Sequence, residues 1–529
     1  MITIKHTASI TNHGSVMKQF SAILLLLGFF SAGSEGLRLL LVFPPPYRSH
    51  YILGNALGKG LARLGHNVTL ISYYKDPNPP PNFREIVVDD RPQIAPLSGG
   101  VQRNMFEMES LSPYAILLHL TKSAGPVYTE PALNHTKVRA LLASEEQFDA
   151  VIVEQFFNDA LKYFAHHFQA PLIVFSTVGS NRWVNKLVAN PENPSYVPDV
   201  LLSFSGQMTF QQRLYNLVFG LVSDVVCYRF IYPQQDALLR KHYPEAPPLE
   251  TLLYNVSLVL INSHESINEA APLVPNMVHI GGFHIDTPKE LPPDLKEFMD
   301  GASKGVIYFS LGSNLNAANM PKEKQAVFLE VLRNREEKVL WKWDGDVFED
   351  QPSNVKISKW FPQQAVLAHP NCKLFISHGG LLSTTETVSL GVPVLAIPIF
   401  ADQKLNAGRI QAKGFGLTIP FSQMTRNSLN AALDDLLDNP KYRRNVQMGS
   451  RLLHDRPIEP MALADYWIRY VVRHKGAHHL RVAGTRLPLF RYFMLDQLGV
   501  FLGVLILAGW LLSRTRRVFS KSTLKAKEE

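Results

Sequence analysis

Cysteine is nearly absent: Cys227 and Cys372 are the only two in 529 residues. Two thiols so far apart supply neither a disulfide framework nor the spacing of a zinc site. Burial as small hydrophobes is the expectation for both. The first strand-like run is followed by no Gly-x-Gly-x-x-Gly turn, which disfavours a conventional dinucleotide site. No carboxylate-rich cluster suggests a metal ion. Charge of one sign is also missing from most of the chain. The formal total is +8, yet eleven of the 53 Lys/Arg and three of the 45 Asp/Glu lie from Arg473 onward, so residues 1–472 hold 42 of each. A neutral body excludes the basic face that a nucleic-acid partner needs. Apolar residues at 46% and charged residues at 19% exclude global disorder, and the length asks for two large domains plus appendages.

What is present begins at the two ends. Lys18, the apolar run Phe20–Phe30 and small residues from Ser31 to Ser34 have the layout of a secretory signal peptide, with Met17 an alternative start. Near the other end, Leu498–Leu512 is uninterrupted apolar sequence, and adding Tyr492–Leu495 brings it to membrane-spanning length. Arg514, Arg516, Arg517, Lys521, Lys525 and Lys527 follow it. Positive residues stay cytoplasmic, so the expected topology is single-pass type I with a lumenal body. Lys525 and Lys527 resemble a dilysine retrieval signal read by coat proteins, which would place the chain in the endoplasmic reticulum membrane. Asn67, Asn134 and Asn255 open N-glycosylation triplets.

Between these ends, short apolar runs alternate with helical patterns. Leu37–Phe43, Val68–Ser72, Val151–Val153, Leu172–Phe175 and Leu258–Ile261 read as strands, with a helix over Gly54–Leu64. After a Gly/Pro-rich passage near 282–295, strands resume at Val306–Ser310, Val339–Trp341, Leu374–Ser377 and Val394–Ile397. The pattern predicts an α/β chain of two doubly wound, Rossmann-like domains whose strand ends line a cleft. In the second half, Phe309–Ser313 ends a strand in a small-residue turn. Leu374–Gly380 runs a strand into His378-Gly379-Gly380 ahead of a helical stretch, which suits a diphosphate. Glu386 could then accept ribose hydroxyls, and Asp402-Gln403 closes a further strand with two groups suited to a sugar.

Trp360 to Gln403 resembles, in residue types and in its 44-residue length, the signature of the UDP-glycosyltransferases. The likeness extends to Phe148–Ala160, Asn262–Glu265, Ile280–Phe283, Phe309–Ser313 and Asp455–Tyr470, and the apolar C-terminal run points to the animal, membrane-bound branch. The resemblance implies a GT-B arrangement, with UDP-glucose or UDP-glucuronate as co-substrate and no bound cofactor or metal. It implies the following partition: 1–36 signal peptide with extension, 37–285 acceptor domain, 286–475 UDP-sugar domain, 476–491 linker, 492–513 transmembrane helix and 514–529 cytosolic tail. Trp360 is expected to stack on uracil and Gln363 to bond near uracil and ribose. His378, with Ser313, Ser383 and the amides around Gly379 and Gly380, is expected at the diphosphate. Glu386 is expected at the ribose, and Asp402 and Gln403 at the transferred sugar. Many relatives carry Asn where this chain has Leu382.

Acceptor chemistry needs a base oriented by a carboxylate. The family position of the base matches His50, read as preceding the first helix, and its partner matches Glu154, where many relatives have Asp; Asp159 is the fallback. One inverting displacement at the anomeric carbon is implied, with the Leu381–Thr385 run tilting the donor towards UDP-glucose. The acceptor is expected to be a small lipophilic alcohol, phenol or acid, as in conjugation of xenobiotics and endobiotics. Val101–Leu120 and Met208–Ile231 are expected to line a lipophilic pocket or touch membrane lipid. Homo- or hetero-oligomers are left open. The competing reading is a catalytically weak binder of sugar nucleotide or lipophile, for which Glu154 and Leu382 are the hints.

Overall fold

The computed structural model describes residues 36–88, 104–348 and 350–525. The run Phe20–Phe30, Met17 and Lys527 lie outside the described residues. Strands β1 (Arg38–Val42), β2 (Asn67–Ser72), β3 (Phe83–Val87), β4 (Ala150–Glu154), β5 (Leu172–Ser176), β6 (Val256–Ile261) and β7 (Met277–His279) form one sheet. Its order is β3-β2-β1-β4-β5-β6-β7. Strands β8 (Val306–Ser310), β9 (Lys338–Lys342), β10 (Val355–Ser358), β11 (Cys372–Ser377), β12 (Val394–Ala396) and β13 (Gly416–Thr418) form a second, ordered β10-β9-β8-β11-β12-β13. Every pairing is parallel.

The central strands are apolar up to their last residue because helices cover both faces; β4, β5 and β8 are buried at all five positions, including the polar residues Glu154, Ser176 and Ser310 that end them. Each sheet also reverses its winding at one place, between β1 and β4 in the first and between β8 and β11 in the second. Loops leaving the strand ends there diverge to opposite faces and open a crevice.

Among the helices are α1 (Arg48–Arg63), α2 (Pro113–Ala124), α3 (Phe210–Val226), α4 (Gln363–Ala368), α5 (Leu381–Leu390), α6 (Gln403–Ala412), α7 (Pro460–Arg473) and α8 (Leu495–Lys525). Helix α1 starts earlier than the pattern Gly54–Leu64 suggests, so His50 lies in its first turn rather than before it. No side chain caps that turn, which removes the usual sequence mark of a helix start.

Helix α7 departs from the expected partition at 475. Its apolar face, Ala464, Ile468 and Val471, is buried with Leu39, Leu41 and Phe175 against the first sheet. Asp465 accepts a hydrogen bond from His66 at 2.6 Å. The chain therefore crosses back before its C-terminal segment. Helix α8 begins at Leu495, not 492, because Met494 takes a left-handed φ of 54° after the short helix Leu489–Tyr492. Its stretch Leu495–Arg517 is apolar and long enough to cross a membrane, and none of it is buried against the body. Cys227 and Cys372 are both free and buried. Asn67, Asn134 and Asn255 are all exposed, although the Asn255 side chain accepts from Arg481 at 2.7 Å.

Ile468 is fully buried. Ile468→Ala is expected to destabilise the chain by about 2–4 kcal/mol, seen as a lower melting temperature of the full-length protein in detergent.

Candidate active site

The two crevices face each other across one cleft of about 670 Å³. On the first side, β1 leads through Pro44-Pro45-Pro46 into α1, and the first turn of α1 presents His50 beside the end of β4. There His50 Nδ1 meets Glu154 Oε1 in a short contact. Glu154 is fully buried and stands behind the imidazole, while the ring borders the cleft. One methylene longer than Asp, its side chain still reaches. Phe156 packs edge-on to the His50 ring at 4.7 Å, and Tyr47 lies at 5.4 Å with its hydroxyl 2.9 Å from that of Tyr128. Asp159 is not the partner of His50. It forms a buried ion pair with Lys162 and accepts from Gln155 at 3.0 Å.

On the second side, His378 follows β11 and is sandwiched by glycine. A Cβ on Gly380 would stand 2.5 Å from its Nε2, and one on Gly312 would stand 2.6 Å from its Cε1. Gly312 also has a φ of 82°, so both space and backbone require glycine there. Burial, with the Lys342 ammonium nearby, pushes His378 down to about 4, leaving it neutral near pH 7. Helix α5 begins after Gly380 without a side-chain cap, so its first amides are available to an anion.

Glu386 on α5 ties this region together. Its Oε1 accepts from Gln364 at 2.8 Å and its Oε2 from Gln363, both on α4. Gln363 also bonds Ser383 at 3.3 Å and accepts from the Tyr308 hydroxyl at 3.2 Å. Burial raises the Glu386 carboxyl above its ordinary value. Trp360 is exposed, with the Arg48 guanidinium 5.6 Å from its ring. At the start of α6, Gln403 Oε1 accepts from the amides of Ile399 and Phe400, which leaves its NH2 for other partners. Asp402, raised by burial, accepts from Asn406 at 2.7 Å, and His50 is near enough to oppose that shift.

Ser313 and Gly380 border the cleft, whereas Gly379 spends its amide on Ser377. Leu382 borders the cleft and leans on the apolar cluster of the first sheet. Sequence reasoning missed Lys342, Asn314 and Gln364. Lys342 stands at the end of β9 beside Asp344, at 2.9 Å. Asn314 bridges the halves, bonding the Arg48 amide at 3.2 Å and Ser49 at 3.1 Å. A polar residue ending a strand was the available signal for Lys342; Asn314 carried none.

An apolar part of the cleft wall is formed by Met105, Met108, Ile116, Leu120, Phe156 and Trp183. The two apolar segments noted in the sequence thus part company. Residues of 105–120 line the cleft, but no described residue of Met208–Ile231 does.

A family model for UDP-glucoronosyl and UDP-glucosyl transferase matches residues 103–528. The chain belongs to that family. It is 34% identical over 491 residues to "UDP-glycosyltransferase UGT5" of Dactylopius coccus, covering 92% of this chain and 93% of the relative. It is 30% identical to "UDP-glucuronosyltransferase 2B15" of Rattus norvegicus, covering 97% and 99%. Among solved structures, the glycosyltransferase VinC in complex with DTDP has a similar fold at 18% identity, with a TM-score of 0.54 over 83% of this chain and all of that one. The protein is therefore a GT-B hexosyltransferase that takes a UDP-sugar as co-substrate and needs no cofactor.

Gly312→Ala is expected to push the His378 ring aside and weaken UDP binding by about tenfold or more, measured by calorimetry, while the fold survives. Acid sensitivity follows from the same burial. His264, His284 and His378 are each held down to about 4, chiefly by burial. The unfolded chain, with the ordinary 6.5, takes up protons first. The stability of these neutral rings is complete above pH 6.5 and is lost as pH falls through 4. The melting temperature should drop across that window, and His284→Leu should lessen the drop.

Proposed function

We propose that the chain transfers glucose, or glucuronic acid, from UDP to a hydroxyl of a small lipophilic acceptor, inverting the anomeric carbon. The observation that carries this reading is the His50–Glu154 contact, set opposite His378 and the start of α5 across one cleft. With Nδ1–H donating to Glu154, the Nε2 lone pair of His50 takes the acceptor proton, and Glu154 stabilises the imidazolium that forms. The acceptor oxygen bonds to the anomeric carbon as the bond to the β-phosphate oxygen breaks, and UDP carries away the electron pair.

The leaving diphosphate meets donors in place before the reaction: the α5 amides, the neutral His378 and the Lys342 ammonium, with Ser313 and Ser383 nearby. Lys342 is thus the cation that a neutral His378 does not supply. Trp360 stacks on uracil, Gln363 and Glu386 hold the ribose side, and Asp402 and Gln403 hold the sugar. The Met- and aromatic-rich wall next to His50 favours flat, lipophilic acceptors such as phenols. Helix α8 anchors the chain in the endoplasmic reticulum membrane, with the body in the lumen and the basic tail in the cytosol.

Full-length enzyme in microsomes, given radiolabelled UDP-glucose or UDP-glucuronate and a panel of phenols, tests both donor and mechanism. UDP-glucose is expected to be the better donor. His50→Ala should lower kcat by about 10²–10⁴-fold with UDP binding unchanged; near wild-type turnover would sink the mechanism. Lys342→Met should weaken UDP-sugar binding by about tenfold or more and leave the acceptor KM alone.

A further inference from the structure

Helix α6 belongs to the second domain by its place in the chain, yet one of its faces is occupied by the first. Ala407 and Ile410 are buried in one cluster with Val388, Val394 and Phe415, and the Ala407 carbonyl accepts from Thr418 at 3.1 Å. Lys404, Leu405, Gly408 and Arg409 form two pairs four residues apart, the spacing that puts side chains on one helix face. Each meets a different segment of the first domain. Lys404 donates to the Glu109 carbonyl at 2.8 Å. Leu405 is buried in one cluster with Ile116, Leu120, Trp183 and Val200, all of which border the cleft. A Cβ on Gly408 would touch the Ser203 carbonyl at 3.5 Å. Arg409 Nη1 donates to Asn268 Oδ1 at 2.8 Å, and Lys413, just past the helix, donates to the Glu265 carbonyl at 3.2 Å.

Contacts between domains of one chain are ordinarily polar and leave the domains free to shift. Here an apolar plug is added, since Leu405 is only 2% exposed. Arg409 makes no ion pair among the described residues; Glu269 and Asp402 act on its guanidinium from further off, against the effect of burial. A cation withdrawn from water without a paired carboxylate is a poor source of stability. What Arg409 supplies is a fixed angle for α6, through a hydrogen bond that spans the domain boundary. The first turn of this helix carries the two side chains assigned to the sugar. Gln403 Oε1 is bonded to the amides of Ile399 and Phe400, and Asp402 to Asn406 at 2.7 Å, so both follow the helix if it moves. Asp402 borders the same cleft as His50, and the charges of His50 and Arg409 both favour its ionised form.

We propose that the seating of α6 on the first domain sets the separation between the transferred sugar and His50, with Leu405 and Arg409 as its positioning residues. The proposal rests on the reading that Asp402 and Gln403 hold the sugar. In that reading UDP itself is held by α4, α5 and Lys342, so its affinity is independent of the seating. The anomeric carbon comes into line with the acceptor oxygen only when α6 is seated, and such alignment is where a small displacement is most costly.

The test uses the full-length enzyme in detergent with UDP-glucose and a phenol, pairing kcat with the UDP dissociation constant from calorimetry. Arg409→Met, which removes the charge and keeps the length, and Leu405→Ala are each expected to lower kcat about tenfold to a hundredfold with UDP affinity unchanged. Arg409→Lys should recover most of the loss. In an Asp402→Asn background, Arg409→Met should cost far less than it does alone, because the contacts it acts through are already gone. Leu429→Ala, a cavity in the core of the second domain away from α6, should lower the melting temperature without that fall in kcat. Near wild-type kcat in Arg409→Met and Leu405→Ala, with Asp402→Asn impaired, overturns the seating and spares the sugar assignment. Near wild-type kcat in Asp402→Asn overturns both. Loss of UDP affinity alongside kcat, additive losses in the double variant, or an equal fall in Leu429→Ala makes Leu405 and Arg409 merely structural and also overturns the proposal.

Discussion

Two changes of winding direction, one in each parallel sheet, set the conditions for everything else in this molecule. A parallel strand must hand its chain to a crossover, and the crossovers on either side of β1/β4 and of β8/β11 leave in opposite directions. What remains at the strand ends is unfilled space bordered by backbone groups. In the first sheet it receives His50 from the helix that follows β1 and Glu154 from the end of β4; in the second it receives the Gly312 turn after β8 and His378 after β11. The side chains of the proposed site therefore stand at or just beyond the ends of well-buried strands, which fix where each chain segment enters the crevice.

Burial near those crevices has an electrostatic result. Several cations would be the simplest way to hold a diphosphate, but the ring placed closest to the α5 start is held neutral and packed between glycines. Positive potential comes instead from oriented amides and from Lys342, whose own carboxylate partner Asp344 tempers it when no ligand is present. Donors already in place cost no reorganisation when charge develops on the leaving group. A site built from dipoles is also compatible with a body whose formal charges balance.

The legibility of the chain followed the same burial. The strands read from sequence are those covered on both faces, because two-sided burial writes a continuous apolar run. Those it did not mark, β3, β7, β10 and β13, are short, partly exposed strands at or near sheet edges. The family signature pointed to the expected donor residues because all of them except Ser313 sit in one contiguous stretch. It gave no access to Asn314, whose bonds to Arg48 and Ser49 join segments some 265 residues apart. Nor could composition separate 105–120 from 208–231. Both are apolar, and only their orientation makes one a cleft wall and the other an outer surface.

Position in the fold also alters the meaning of the basic C-terminal segment. A formal +8 confined to the residues from Arg473 onward would be read, on charge alone, as an address or a topology signal on the cytosolic side. Yet five of the eleven bases precede α8, and Arg481 among them is spent inside the protein on Asn255 and Ser257. Arg486 and Arg491 stand instead exposed in the apolar stretch that begins beside Ala189. The bases before α8 are thus of two kinds, an arginine built into the first domain's surface and two held out beside exposed apolar side chains, so that one count of charge joins groups with different physical roles.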